Sequence, residues 1–87
     1  MDIAEARNEI DKIDSELAEL FEKRMKLSAE IAEEKKRKNL PVSDSKREEE
    51  IIKKIGEKSS EEIRKYTAEL YGKIFELSKD YQKELMK

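Results

Sequence analysis

The amino-acid sequence predicts an all-α protein whose 87 residues form one long and two shorter helices. Apolar residues recur at steps of three and four along most of the chain, which is the period of an amphipathic helix. The chain has only 2 glycines and 1 proline, so few positions can interrupt a helix. At this length we expect a single domain spanning residues 1–87.

The first helix is predicted from Ile3 to about Arg37 or Lys38, with Asp2 as its N-cap and Glu5 at capping-box spacing. Its last turn is basic, which complements the carbonyl end of the helix dipole. The apolar residues of this helix form a heptad seam: Ile3, Ala6, Ile10, Ile13, Leu17, Leu20, Leu27 and Ile31.

The length of this helix predicts a partner. A helix from residue 3 to about residue 36 is roughly 50 Å long, whereas a compact globule of this chain length is only about 30 Å across. The helix must therefore extend beyond its own domain, and its seam stays apolar along the extension. We expect a second copy of the chain to cover that seam in an intimate homodimer.

A break is predicted at residues 39–43, because Pro41 disfavours helical geometry at Leu40. The second helix is expected to begin near Asp44 or Ser45, where Ser45 and Glu48 have capping-box spacing. Its apolar stripe is Ile51, Ile52 and Ile55, and Glu48 lies one step back on the same face. The helix is expected to stop at Gly56, since glycine tolerates the left-handed conformation of a helix C-terminus.

The third helix is predicted from about Ser60 to Leu85, with Ser59 and Glu62 as a further capping box. We expect Phe75, Ser78 and Gln82 to lie along one flank of its buried apolar stripe. The predicted stripe consists of Ile63, Tyr66, Thr67, Leu70, Tyr71, Ile74, Leu77, Tyr81 and Leu85.

Arg24 interrupts the seam of the first helix at a position that should be apolar. A permanent cation on a buried stripe is costly unless it is paired, and no acidic residue occupies the neighbouring seam positions. Ser28, Ile31 and Lys35 fall on the same helical face as Arg24. An anionic partner is therefore expected there.

Each polar residue of the predicted interior has an ordinary structural explanation. Arg24 could extend to solvent, Glu48 could serve only as a capping residue, and Ser78 and Gln82 could be satisfied hydrogen-bonders between helices. Together with Lys35, however, they bring an excess of cations to one three-helix interior. That combination predicts a pocket for a small, polar, anionic molecule.

Composition excludes several kinds of site. Without cysteine or histidine, the chain has no ligands for a typical zinc site, no thiol nucleophile and no Ser-His-Asp triad. Charged residues make up 48% of the chain, but the net charge is only -2, so we expect no nucleic-acid or membrane partner. Nothing at the N-terminus resembles a secretory signal, and we expect a cytoplasmic protein.

The sequence resembles the all-helical AroQ-class chorismate mutases over nearly its whole length. The resemblance rests on the run Ala-Arg7-Asn-Glu-Ile-Asp-Lys-Ile-Asp, on Glu-Lys-Arg24 and Lys35, and on the closing Ser78 and Gln82. Its most specific part is the segment Pro-Val-Ser-Asp44-Ser-Lys-Arg47-Glu48. The resemblance implies an entwined homodimer of three-helix protomers. It further implies rearrangement of chorismate to prephenate, for phenylalanine and tyrosine biosynthesis, with no metal or cofactor.

The resemblance also implies a role for each matching residue. Arg24 and Arg7 would bind the two carboxylates of chorismate, with Arg7 supplied by the other subunit. This division agrees with helix geometry, because the two arginines lie 17 residues apart, or roughly 25 Å along one helix. The remaining site is implied to comprise Lys35 and Gln82 at the ether oxygen, Glu48 and the backbone near Asp44 at the ring hydroxyl, Ser78 at a carboxylate, and Arg47 in the charge network.

Two other functions compete with this one. Isochorismate pyruvate lyase has the same fold and similar cations, but Glu48 is expected of the mutases and not of the lyases. A non-catalytic helical oligomerisation module would account for the high charge content and the heptads. Against such a module stand Arg24 in the seam and the spacing of Lys35, Glu48 and Gln82.

Overall fold

A computed structural model describes residues 1–87 and contains three helices and no strand. Helix α1 spans Ile3–Arg37, α2 spans Ser45–Lys58 and α3 spans Arg64–Leu85. The all-α class and the arrangement of one long and two shorter helices are therefore confirmed. None of the three helices has an apolar stretch long enough to cross a membrane.

Both ends of α1 are closed by local hydrogen bonds. At the start, the Asp2 carboxylate accepts a hydrogen bond from the Glu5 backbone N–H at 2.8 Å, as predicted. At the end, Leu40 N–H donates to the Lys35 carbonyl at 2.8 Å and Asn39 N–H donates to the Lys36 carbonyl at 3.2 Å. These two bonds form a Schellman motif, with Asn39 in the left-handed region at φ 55°. The motif turns the chain back toward α2.

Helix α1 extends well beyond the rest of the protomer. The molecule measures 53 × 25 × 14 Å, and α1 alone accounts for its longest dimension at about 1.5 Å per residue. From Ile3 to Lys23 every residue except Ala6 is exposed. The seam is thus bare in the protomer, with Ile3 70% and Leu20 60% accessible.

The C-terminal half of α1 lies beside α3, and the two helices run parallel. The Arg24 guanidinium bonds to the Ser78 hydroxyl, and the Gln82 amide bonds to the Ser28 carbonyl. Both contacts join residues 54 positions apart. A constant offset between two helices is the mark of parallel packing.

Helix α2 runs antiparallel to α3 and packs against it, while α1 and α2 make no direct helix-to-helix contact. Glu48 near the start of α2 pairs with Lys79 near the end of α3. Ser59, directly after α2, contacts Thr67 near the start of α3 through a 3.0 Å hydroxyl hydrogen bond. The second half of α1, the start of α2 and the second half of α3 therefore line one common space.

The predicted junction between α2 and α3 is wrong in its details. Helix α2 continues past Gly56 to Lys58, and Gly56 does not have a positive φ. Its carbonyl instead accepts a 2.7 Å hydrogen bond from Arg64 Nε, which closes the end of α2 from the next helix. Helix α3 begins at Arg64 and not at Ser60, after a turn over residues 61–63.

The predicted capping boxes of α2 and α3 are also corrected. The N-cap of α2 is Asp44, whose carboxylate accepts from the Arg47 backbone N–H at 3.1 Å. Ser59 does not cap α3; its hydroxyl bonds to the Ile55 carbonyl, so it belongs to the end of α2.

The buried face of α3 differs from the predicted apolar stripe. Phe75, Ser78 and Gln82, predicted as a flank, are the residues of α3 that are buried. Parallel packing against α1 turns this flank inward, and Tyr71, Tyr81 and Leu85 of the stripe lie beside it, close to residues of α1. Six of its members are exposed in the protomer: Ile63, Tyr66, Leu70, Leu77, Tyr81 and Leu85.

The left-handed residue at the end of α1 yields a stability prediction. Asn39→Val should lower the free energy of unfolding by about 1–2 kcal/mol, because a β-branched residue is strained at positive φ. Asn39→Gly should leave it within about 0.5 kcal/mol, since glycine is the usual residue at this position. Urea denaturation at one fixed protein concentration measures both, and equal effects of the two substitutions would contradict the assigned turn.

Candidate active site

A cavity of about 350 Å³ lies between the three helices. Helix α1 contributes its face from Arg24 to Lys35, α2 contributes its first two turns, and α3 contributes its buried face. The lining combines five apolar residues with a larger polar set. The lining residues are Arg24, Leu27, Ser28, Ile31, Lys35, Val42, Asp44, Arg47, Glu48, Ile51, Phe75, Ser78, Lys79 and Gln82.

Arg24 is held in the cavity by neutral groups. Its Nη1 donates to the Ser78 hydroxyl at 3.3 Å, and that hydroxyl in turn donates to the Met25 sulfur at 3.6 Å. The guanidinium carbon lies 5.9 Å from the Tyr71 ring centre and 5.7 Å from that of Phe75. Aromatic rings attract a cation without neutralising it, so the charge of Arg24 remains available to a ligand.

Lys35 stands at the other end of the cavity. Its Nζ donates a 2.9 Å hydrogen bond to the Val42 carbonyl, which ties the end of α1 to the segment leading into α2. An ammonium has three N–H donors, so two remain. No carboxylate oxygen lies within 4 Å of either Lys35 or Arg24. These two half-buried cations are therefore without counter-ions.

Gln82 supplies a neutral donor from α3. It is only 6% exposed, and its Nε2 donates to the Ser28 carbonyl at 2.8 Å. That bond fixes the side chain against α1 and uses one of the two N–H groups of the amide. The second N–H remains for a ligand. Because both the donor and its anchor lie on helices, the amide is rigidly placed.

Two carboxylates line the cavity, and both are already engaged. Asp44 caps α2 through the Arg47 backbone N–H. Glu48 Oε2 lies 3.2 Å from Lys79 Nζ across the gap between α2 and α3. Arg47 pairs with Glu50 at 3.7 Å, and Glu50 is outside the cavity lining.

The charges of the lining do not balance. Four cations, Arg24, Lys35, Arg47 and Lys79, face two carboxylates, Asp44 and Glu48, which leaves a formal charge of +2. Apolar side chains around these groups reduce the screening by water. The cavity therefore favours a small dianion. It offers positive charge and hydrogen-bond donors, with no histidine or cysteine anywhere in the chain to act as base or nucleophile.

Seven of the eight site residues predicted from the sequence line this one cavity: Arg24, Lys35, Asp44, Arg47, Glu48, Ser78 and Gln82. Arg7 does not, because it lies exposed on the extended half of α1. Lys79 lines the cavity and was missed by the sequence prediction. A signal for it existed, since Lys79 precedes Gln82 by three positions on one helical face and has the charge opposite to that of Glu48.

Comparison with known proteins gives one consistent result. A family model described as chorismate mutase type II matches residues 6–83. The chorismate mutase of Methanocaldococcus jannaschii is 31% identical over 85 residues, which cover 98% of this chain and 84% of that protein.

Two bifunctional chorismate mutase/prephenate dehydratases are also similar. The protein of Aquifex aeolicus is 38% identical over 74 residues, covering 85% of this chain, and that of Buchnera aphidicola is 35% identical over 88 residues, covering 98%. The chain spans only 18% and 23% of the length of these two relatives. No solved structure matches it significantly.

The cavity amide yields a prediction about stability. Gln82→Met should change the free energy of unfolding by no more than about 1 kcal/mol, because the apolar replacement has a similar shape and only one neutral hydrogen bond is lost. Phe75→Ala, at another buried position of α3, should cost about 3 kcal/mol because it leaves a cavity in the core. Denaturation of both variants measures the difference. A loss above about 2 kcal/mol in Gln82→Met would make the amide a structural element.

Proposed function

The chain belongs to the chorismate mutase type II family, and we propose that it converts chorismate to prephenate in the cytoplasm, for the synthesis of phenylalanine and tyrosine. The observation that carries the proposal is the pair of cations, Arg24 and Lys35, that face the cavity without counter-ions. Chorismate is a compact dicarboxylate and matches the formal charge of +2 in the lining.

The reaction suits a site that has donors but no base or nucleophile. In this 3,3-sigmatropic rearrangement the ether C–O bond breaks while a C–C bond forms between the enolpyruvyl methylene and the ring. No proton, electron or group enters or leaves. The protein must hold the substrate in its compact chair conformer and stabilise the negative charge that develops on the ether oxygen.

Arg24 is proposed to bind one carboxylate of the substrate. Its planar fork can donate two parallel hydrogen bonds to a carboxylate, and Ser78 already fixes its position from α3. The Ser78 hydroxyl can turn from the Met25 sulfur, a weak acceptor, toward the same carboxylate. Binding of the substrate in its compact chair conformer restricts its internal rotation before the reaction begins.

Lys35 and Gln82 are proposed to donate to the ether oxygen. Each has donors left after its anchoring bond, to the Val42 carbonyl and the Ser28 carbonyl respectively. A fixed ammonium and a fixed amide need no reorganisation as charge develops, which is the source of electrostatic catalysis. Lys35 brings a full charge, so it is expected to contribute more than the amide.

Glu48 and the backbone near Asp44 are proposed to hold the ring hydroxyl, and Arg47 is proposed to contribute to the charge network. All three lie at the start of α2 and line the cavity. The Glu48 carboxylate has acceptor capacity beyond its contact with Lys79. Its presence supports the mutase over an isochorismate pyruvate lyase, and assays of both substrates separate the two activities.

The second carboxylate is proposed to bind Arg7 of the partner subunit. Within one chain, Arg7 and Arg24 are separated by 17 residues of continuous helix, or about 25 Å, so one small ligand cannot reach both. An entwined homodimer would bring the arginine of one α1 to the cavity of the other protomer. The exposed seam of α1, including Ile10, Ile13 and Leu17, supports such a dimer because it offers a long apolar surface.

Removal of the Lys35 ammonium should strongly reduce catalysis. We expect Lys35→Ala to lower kcat/KM for chorismate by at least about 100-fold, because a charged donor to the developing oxyanion is lost. Lys36→Ala is the matched control, since Lys36 is exposed and does not line the cavity; its activity should stay within about twofold of wild type. Chorismate disappearance followed by ultraviolet absorbance measures both. Similar activities of the two variants would argue against the assigned role.

Mixing two inactive variants tests whether the site is shared. Arg7→Ala and Arg24→Ala homodimers should each be nearly inactive, because each lacks one carboxylate ligand at both sites. After subunit exchange, a mixed dimer would contain one intact site and one site without either arginine. Random exchange of equal amounts makes about half of the dimers mixed, and each mixed dimer has one intact site of two. Activity should therefore recover to about a quarter of that of the same amount of wild-type protein. No recovery in a sample proven to contain mixed dimers would place both arginines in one subunit.

A further inference from the structure

The contact between Lys79 and Glu48 assigns a distinct task to Lys79. We propose that Lys79 is a positioning residue that holds the Glu48 carboxylate toward the ring hydroxyl of the substrate and away from the substrate-binding cations. This inference rests on the proposed mutase function. It concerns a residue on α3 that acts through one on α2.

The first support is the difference between Lys79 and the other cations of the cavity. Arg24 and Lys35 bond only to neutral groups, and Arg47 pairs with Glu50, which is outside the lining. Lys79 alone pairs with a carboxylate of the cavity, at 3.2 Å. Its charge is therefore matched inside the site, and it leaves Arg24 and Lys35 for the substrate.

The second support is the position of Glu48. It lies in the first turn of α2, on a flexible side chain that is about a quarter exposed, at 27%. Helix α2 alone does not fix where this carboxylate points. Lys79, with 31% of its side chain accessible, approaches from the opposite helix and so limits the carboxylate to one side of the cavity.

The third support is electrostatic. Without Lys79, Glu48 would be attracted by the remaining cations of the cavity, Arg24, Lys35 and Arg47. Such a pairing would neutralise a group that the substrate requires, and it would remove the acceptor for the ring hydroxyl. Loss of Lys79 should therefore weaken both substrate binding and turnover, although Lys79 itself need not touch the substrate.

A double-mutant cycle tests this proposal. Lys79→Met should lower kcat/KM by about 10–100-fold, with a rise in KM as well as a fall in kcat. In a Glu48→Gln background, the same substitution should change kcat/KM by less than about threefold, because the neutral amide no longer needs restraint. Lys79→Arg should keep activity within about fivefold of wild type, since the guanidinium can hold the same carboxylate.

The control is Lys83→Met, which removes the same charge from an exposed position one turn along α3 and should change kcat/KM by less than about twofold. Far-ultraviolet circular dichroism of each variant verifies folding. If Lys79→Met does not fold, the activity of Lys79→Arg still tests whether a second cation at this position can hold the carboxylate. An equal loss from Lys79→Met with and without Glu48, or wild-type activity of Lys79→Met, would overturn the proposal. Absence of mutase activity in the wild-type protein would instead overturn the proposed function.

Discussion

The cavity between the helices is built around two cations, Arg24 and Lys35, that have no carboxylate partner. Arg24 stands in the seam of α1, where an apolar residue would normally pack, and neither it nor Lys35 has a carboxylate within salt-bridge distance. A protein interior seldom retains cations in this state, because desolvation without pairing costs free energy. Neutral partners, namely the Ser78 hydroxyl, two aromatic rings and the Val42 carbonyl, hold the two side chains in place without cancelling their charge. The arrangement is explained if a bound anion supplies the negative charge that the protein does not.

Helix α1 links this site to the shape of the molecule. Its C-terminal half packs beside α3 and lines the cavity, whereas its N-terminal half extends into solvent with an apolar seam. In the proposed homodimer, one helix would complete the core of the partner and also supply Arg7 to the partner's cavity. Folding, association and catalysis would then depend on the same 35 residues.

Local sequence signals predicted the helices well and their junctions less well. The bounds of α1 and the Asp2 cap were correct because both depend on neighbours within one or two turns. The predicted end of α2 at Gly56 was wrong because the Gly56 carbonyl accepts a hydrogen bond from Arg64. This contact between helices is not visible in any local sequence pattern. The buried face of α3 was misplaced for a related reason: its apolar stripe is wider than the surface that α1 and α2 cover, and the flank of Phe75, Ser78 and Gln82 packs closest. Seven of eight candidate site residues share one cavity, yet Lys79 was missed because its importance depends on the antiparallel pairing of α2 and α3.

A crystal structure of the protein with a bicyclic dicarboxylate that mimics the compact transition state would show directly whether the two cations bind the substrate. We expect one ligand in each cavity of a homodimer. One carboxylate should contact Arg24 and the other Arg7 of the partner subunit, while Lys35 and Gln82 should both donate to the bridging oxygen. A monomer, or a ligand bound outside the cavity with Arg24 and Lys35 still unpaired, would contradict this expectation.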